Sequence, residues 1–272
     1  MPDEMPPEPF RGRPLDTVLP AGTPLWRVHH EPHAATAFNP TLADPHWHGS
    51  RFDATARAPF SYLYAAPELS TAVAEVLLRN RGFAGRARPI RRGSLAGQRL
   101  SRIRLVRALR LITLVSSTDL AAIYQDDWIV QAEARDYGKT RRWAAALRDA
   151  DPTAEGLIWQ SRVDRPKLSL VLFGDRCDGA VGLDGGGDGG DGGGGAIRLD
   201  DPAGLELLDR VLGPYLAYVE PAPAFAPAPT GPPAATAGPE SAPMTPGRRP
   251  GLDGSIGATD TGAGGASMET HR

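Results

Sequence analysis

The chain has 272 residues, of which 41% are hydrophobic and 23% charged, as in an ordinary globular protein. Its net charge of −2 excludes the strongly basic composition of general nucleic-acid-binding proteins. Its single cysteine, Cys177, excludes a disulfide framework and a cysteine-based zinc site. The sequence contains no apolar run of transmembrane length and does not begin with the pattern of a signal peptide. We therefore expect a cytoplasmic protein without a membrane segment.

Glycine and proline are concentrated in three segments. Residues 1–19 are rich in proline, and we expect them to be flexible. Residues 179–195 contain eleven glycines in seventeen positions and predict a flexible insertion. Residues 221–272 consist mainly of Pro, Ala and Gly, so they cannot bury enough apolar surface to offset their ordering entropy and predict a disordered tail. The remaining chain, residues 20–220, is predicted to form one domain.

Within that domain, strands and helices are interspersed. A helix is predicted to open at Pro67 with an apolar face, a short one to be capped by residues 117–119, a long one to span 131–150, and a last one to start at Pro202. Strand-length apolar runs are found at 25–29, 61–65, 101–106, 109–115, 156–160 and 168–173. Because these elements do not alternate strictly, the fold class predicted is α+β.

Histidines form two clusters, which are the first candidates for chemistry. His29, His30 and His33 lie in one, and His46 and His48 in the other. Three histidines suit zinc, but Pro32 blocks the helical spacing that a zinc protease motif needs. Surface or core histidines are the main interpretation, with a loop-built metal site as the alternative. No metal is therefore predicted, and nucleophile-elbow and phosphate-loop motifs are absent from the sequence.

Three polar residues in apolar surroundings are further candidates. Glu75 lies at the edge of the apolar stripe of the first helix, where a carboxylate needs partners or a polar cavity. The alternative is a solvated residue paired with Arg79 at i,i+4. In the strand 25–29, alternation places Arg27 on the face opposite its aromatic neighbour, lining a cleft or facing water. Ser161 follows an apolar strand and either caps a turn or points into a site.

Together these segments resemble the RES family, which is named for its Arg, Glu and Ser. The resemblance rests on LWRV at 25–28, GSRF at 49–52, YLYAAPELSTAVAE at 62–75 and GLIWQS at 156–161. The positions that match the family's residues are Arg27, Arg51, Tyr64, Glu75 and Ser161.

This resemblance implies a fold similar to that of ADP-ribosyltransferase toxins and an activity that destroys NAD+ by hydrolysis or phosphorolysis. It also implies a toxin whose partner is a helix-turn-helix antitoxin. NAD+ would then be the substrate, inorganic phosphate a possible co-substrate, and no other cofactor is expected. The glycine-rich insertion and the tail depart from the family core, as does Phe-Asp after Arg51, where Trp-Asn is commoner.

The resemblance also implies roles for the matched residues. Glu75 would stabilise positive charge on the ribose in an oxocarbenium-like transition state. Arg27 and Arg51 would bind the pyrophosphate, or one of them an attacking phosphate. Tyr64 would pack on the nicotinamide, and Ser161 would orient the ribose or Glu75.

Three other functions stay open at this point. The same fold could transfer ADP-ribose to a macromolecule, or the chain could be a non-catalytic interaction module that recruits a partner through its tail. A metal-dependent hydrolase built on the histidine clusters is the third. Direct nucleic-acid or membrane binding is not expected, and the sequence does not determine the oligomeric state.

Overall fold

The computed structural model describes residues 4–43, 49–184 and 196–221. In these ranges the chain forms eleven strands and five α-helices, with three short 3-10 helices between them. The strands pair mostly antiparallel and are not separated by regular helical crossovers. The predicted α+β class is therefore confirmed.

The larger sheet has five strands and forms the centre of the fold. In sheet order its strands are β1 (Asp16–Leu19), β6 (Leu109–Leu114), β7 (Gly156–Gln160), β8 (Leu168–Phe173) and β3 (Tyr62–Ala65). The edge strand β1 pairs antiparallel with β6, β6 pairs parallel with β7, and the antiparallel strands β8 and β3 complete the sheet.

A second, antiparallel sheet is built around β5 (Gln98–Leu105), with β2 (Pro24–His30) on one side. The short strands β9 (Val181–Leu183) and β10 (Ile197–Arg198) pair with the other side of β5. The two sheets share a buried cluster that includes Leu25, Ile103, Leu63, Ile158 and Leu170. This packing brings β2 against β3.

Helices cover the outer faces of both sheets. On the five-stranded sheet, α2 (Ser117–Ala122), α3 (Trp128–Gln131) and α4 (Tyr137–Ala150) contribute to one apolar cluster with the strands. On the second sheet, α1 (Leu69–Leu77) and α5 (Pro202–Leu212) contribute to another. A parallel pair, β4 (Arg88–Ile90) and β11 (Ala217–Val219), lies beside α5.

The longer strands agree with the sequence predictions, whereas helix boundaries differ in three places. Helix α1 begins at Leu69 rather than Pro67, because Glu68 still has extended backbone and takes the N-cap position. The cap of α2 is Ser116, whose side chain forms a capping box with Asp119. The helix predicted at 131–150 is broken, because Ala132 leaves the helical region at φ −47° and ψ 140°.

Two of the predicted flexible segments contain regular structure. In the N-terminal segment 1–19, β1 pairs with β6, and the ring of Phe10 packs 5.6 Å from that of Trp143. Strand β9 lies inside the predicted insertion 179–195, whose positions 185–195 fall outside the described residues. The described part of the compact unit ends at Pro221. The predicted tail lies outside the described residues, apart from Pro221.

None of the helices in the described ranges combines the length and the apolarity that a bilayer crossing requires.

Candidate active site

A cavity of about 450 Å³ opens where the two sheets meet. The backbones of Trp26 and Ala66 exchange hydrogen bonds there, 2.7 and 2.9 Å long, which join β2 to the end of β3. Helix α1 forms another wall, and the loops around residues 37–41 and 50–51 complete the lining. The volume lies within the range of small-molecule sites. Four of the five matched residues line this cavity: Arg27, Arg51, Tyr64 and Glu75.

Ser161, the fifth matched residue, is fully buried behind Glu75. Its hydroxyl donates a 2.7 Å hydrogen bond to Glu75 Oε1, and the Arg162 backbone N–H donates to the same oxygen at 3.2 Å. Ser161 Oγ accepts from the N–H groups of Val163 and Asp164, which fixes the direction of its own proton. Among the described residues no group donates to Glu75 Oε2, so this oxygen is available to a substrate.

The turn after β7 is attached to α1 by a second carboxylate. Asp164, which is buried, accepts hydrogen bonds from Thr71 Oγ1 at 2.6 Å and from Ser70 Oγ at 3.0 Å. The Lys167 ammonium pairs with the same carboxylate. Although desolvation opposes ionisation of Asp164, these hydrogen bonds outweigh it and hold the pKa below its usual value. Helix α1, which carries Glu75, is thus held against the turn that carries Ser161.

Arg27 points from β2 toward the five-stranded sheet, as strand alternation predicts, while Trp26 and Val28 pack toward the helices. Its Nη1 donates to the carbonyls of Ala35 and Ala37 at 2.7 and 2.6 Å. Burial lowers the pKa of Arg27 to about 10, which still leaves the guanidinium charged at neutral pH. Within the described ranges it forms no ion pair, so an anion in the cavity would neutralise it.

Arg51 is placed by a tight loop that begins at Gly49. The backbone of Gly49 has φ +73°, a conformation that favours glycine. The loop is closed by Asp53, which accepts from the Ser50 N–H at 2.6 Å and from the Tyr64 hydroxyl at 2.8 Å. Tyr64 in turn accepts from the Phe52 N–H at 3.0 Å. Burial and the neighbouring Asp53 raise the pKa of Tyr64, so its hydroxyl remains protonated and serves to hold the loop.

The structure also shows lining residues that the sequence reasoning missed. Arg79 lines the cavity, and it forms no ion pair with Glu75, so the alternative of an i,i+4 pair is wrong. Its position four residues after Glu75 is the signal that could have placed it on the same side of α1. Trp159 and Ser169, which are cross-strand partners, also line the cavity, and each has a buried polar atom without a partner. Their polar atoms lie among apolar strand positions, so no sequence pattern marks them.

The first histidine cluster lies at one side of this cavity. His29, His30 and His33 all contribute to the lining, and His29 Nε2 lies 2.8 Å from Ser101 Oγ. Burial and nearby arginines lower the pKa of His29, so its neutral form is favoured. Among the residues that the structure describes, no group of three or more His, Cys, Asp or Glu could hold a metal ion. His46 and His48 lie outside those residues.

Both the sequence and the fold of this chain have matches among known proteins. The model of the RES domain family matches residues 24–184, more than half of the chain and a span that includes all five matched residues. Among solved structures, a similar one is the crystal structure of the M. tuberculosis MbcT–MbcA toxin–antitoxin complex, with 14% identity over 57% of this chain and 76% of that chain and a TM-score of 0.41. No curated protein sequence matches.

Proposed function

The chain belongs to the RES domain family, and we propose that it is an enzyme that cleaves the nicotinamide–ribose bond of NAD+. The observation that carries this proposal is the carboxylate of Glu75, held by Ser161 at one oxygen and open to an arginine-lined cavity at the other. An anionic substrate with a sugar that develops positive charge suits this arrangement of one carboxylate and several guanidiniums.

The proposed reaction breaks the bond between the nicotinamide nitrogen and the ribose carbon. Nicotinamide departs as a neutral molecule with the bonding electrons, and positive charge develops on the ribose ring. Glu75 stabilises that charge and accepts a hydrogen bond from a ribose hydroxyl, while Arg27 and Arg51 bind the phosphates. Tyr64 packs its ring on the nicotinamide. Water or inorganic phosphate then bonds to the ribose carbon and releases its proton, giving ADP-ribose or its 1″-phosphate.

The proposal also covers the co-substrate, the cellular location and the partner protein. NAD+ is the substrate, with inorganic phosphate as possible co-substrate, and neither a metal nor another cofactor takes part. In line with the family resemblance, the protein acts in the cytoplasm as a toxin that a helix-turn-helix antitoxin neutralises. Inhibition of NAD+ loss by the product of a neighbouring gene, purified in complex with this chain, would test that role.

The substitution Glu75→Gln tests the chemistry. It keeps the size of the side chain but removes its negative charge, so the rate of NAD+ loss should fall by about 10²–10³-fold. The measurement is the separation of products by mass after incubation of purified protein with NAD+, with and without inorganic phosphate.

The matched control is Glu68→Gln, which removes the same charge from an exposed residue at the start of the same helix. It should turn over NAD+ like the wild type. Full activity of Glu75→Gln in a folded protein would contradict the proposal. Labelling of a protein or nucleic acid instead of free product would indicate an ADP-ribosyltransferase, and intact NAD+ would favour an interaction module.

A further inference from the structure

Two arginines of the cavity share one aromatic ring. The guanidinium carbon of Arg51 lies 5.5 Å from the ring centre of Tyr137, and that of Arg79 lies 5.7 Å from the same centre. Tyr137 is the first residue of α4 and is 2% exposed, so the ring is a fixed support. Both distances are typical of cation–π contacts. Both guanidiniums therefore lie against the same ring, and both residues line the cavity.

No carboxylate neutralises this pair directly. Neither arginine forms an ion pair in the described parts of the chain, and Glu75, the acid whose field reaches Arg51, is hydrogen-bonded to Ser161 instead. Burial lowers the pKa of Arg51, and the positive charge of Arg79 acts in the same direction. Two like charges in a partly desolvated place repel each other, so an anion bound between them would be strongly stabilised.

Both guanidiniums also have N–H donors for which the described residues provide no acceptor. Arg51 donates from Nη2 to the Ala132 carbonyl at 3.1 Å, and Arg79 donates from Nη1 to Ser50 Oγ at 2.8 Å. The Nε atom of each is buried and has no hydrogen-bond partner. A guanidinium has five N–H donors in a planar fork that matches the oxygens of phosphate. Both arginines line the cavity.

We propose that Arg79, together with Arg51 and supported by the Tyr137 ring, forms an oxyanion subsite that binds a phosphate group. The subsite takes either a phosphate of a nucleotide diphosphate or a free phosphate ion, because both present the same tetrahedral oxygens. Its use in turnover rests on the proposed NAD+ cleavage, whereas its affinity for phosphate does not. Arg27 lies elsewhere in the cavity, at the histidines and the loop carbonyls of Ala35 and Ala37.

The test is calorimetric binding of ADP and of inorganic phosphate to the full chain and to Arg79→Gln. A charged hydrogen-bonding group of this kind typically changes affinity by about 10- to 100-fold. We expect a loss of that size in Arg79→Gln and a smaller loss in Arg79→Lys, which keeps the charge without the planar fork. Loss of ADP affinity identifies a nucleotide phosphate as the occupant, and loss of phosphate affinity alone identifies the free ion.

Two controls separate binding from structure. Arg86→Gln removes the same charge from an exposed arginine of the following segment and should bind both probes like the wild type. Thermal unfolding of Arg79→Gln is the second control, and its melting temperature should stay close to that of the wild type. Normal binding by Arg79→Gln, or no binding of either probe by the wild type, would overturn the proposal.

NAD+ turnover, measured in parallel, distinguishes the two proposals. If ADP or phosphate binding depends on Arg79 while NAD+ stays intact in every variant, the subsite stands and the proposed reaction fails. If NAD+ is cleaved and Arg79→Gln binds both ADP and phosphate like the wild type, the reaction stands and the subsite fails.

Discussion

The carboxylate of Glu75 is placed by a residue that does not itself line the cavity. Ser161 donates its proton to Oε1, and the two N–H groups that it accepts leave it no other direction for that proton. The site thus combines a carboxylate that faces the cavity with a buried hydroxyl that orients it. Among the described residues no group donates to Oε2, as the proposed contact with the ribose requires.

Ser161→Ala tests this positioning role. It removes one hydrogen bond to a charged group, so we expect kcat for NAD+ cleavage to fall by about 10-fold or more with a smaller change in KM. Steady-state kinetics and thermal unfolding of the variant are the measurements. Ser94→Ala is the matched control, because its exposed hydroxyl donates to Arg91 within its own turn. A drop in melting temperature with unchanged kcat would show that Ser161 is only structural.

The loop that carries Arg51 depends on its first residue, Gly49. A Cβ atom added to Gly49 would lie 2.5 Å from Asp53 Oδ2, and 3.0 Å from both Ala43 Cβ and an Arg141 nitrogen. Asp53 is the residue that ties the loop to Tyr64. A side chain at Gly49 therefore displaces the group that closes the loop, and Arg51 moves with it.

Gly49→Ala is expected to lower both stability and activity. The left-handed backbone alone costs roughly 1–2 kcal/mol for a residue with a Cβ, and the contact with Asp53 adds to it. Denaturant unfolding and NAD+ turnover measure the two effects. Gly22→Ala is the matched control, since Gly22 has φ +82° but a Cβ there would meet nothing within 4 Å. It should be destabilised and fully active, and equal activity in both variants would refute the role of the loop.

The cavity exists because two sheets and a helix meet. Strand β2 belongs to one sheet and β3 to the other, and their junction at Trp26 and Ala66 brings Arg27 and Tyr64 to the same cavity. Near the end of the described chain, β11 pairs with β4 and adds Ala217 to the apolar cluster of α1 and α5. The composition of the residues that follow predicts no contribution to this core.

Two shortened chains test where the folded core ends. A chain that ends at Pro221 keeps β11, so its melting temperature and its NAD+ turnover should equal those of the full protein. A chain that ends at Leu212 loses β11 and exposes the cluster around Ile90, so its melting temperature should fall by roughly 5–10 °C. Thermal unfolding and product analysis are the measurements. A large loss of turnover in the chain that ends at Pro221 would mean that the tail contributes to function.

Long apolar segments made much of this fold predictable. Strands β2, β3, β5, β6, β7 and β8 were predicted because buried strands need continuous or alternating apolar residues. The short strands β1, β4, β9, β10 and β11 were missed, because segments of two to four residues carry no periodicity and form strands only where a partner edge is available. Strand β3 is as short as β1, and it was predicted because all four of its residues are apolar or aromatic. The break at Ala132 was missed for a related reason, since no proline or glycine marks it.

The candidate site was likewise predictable only in part. The residue types and their order along the chain are enough to identify five candidates through a family resemblance: Arg27, Arg51, Tyr64, Glu75 and Ser161. The packing of the fold is needed to show that Ser161 lies behind Glu75 rather than in the cavity. It also shows that Arg79 joins Arg51 at Tyr137 instead of pairing with Glu75. These contacts join residues far apart in the chain, and their distances depend on how the sheets and α1 pack, which no local pattern encodes.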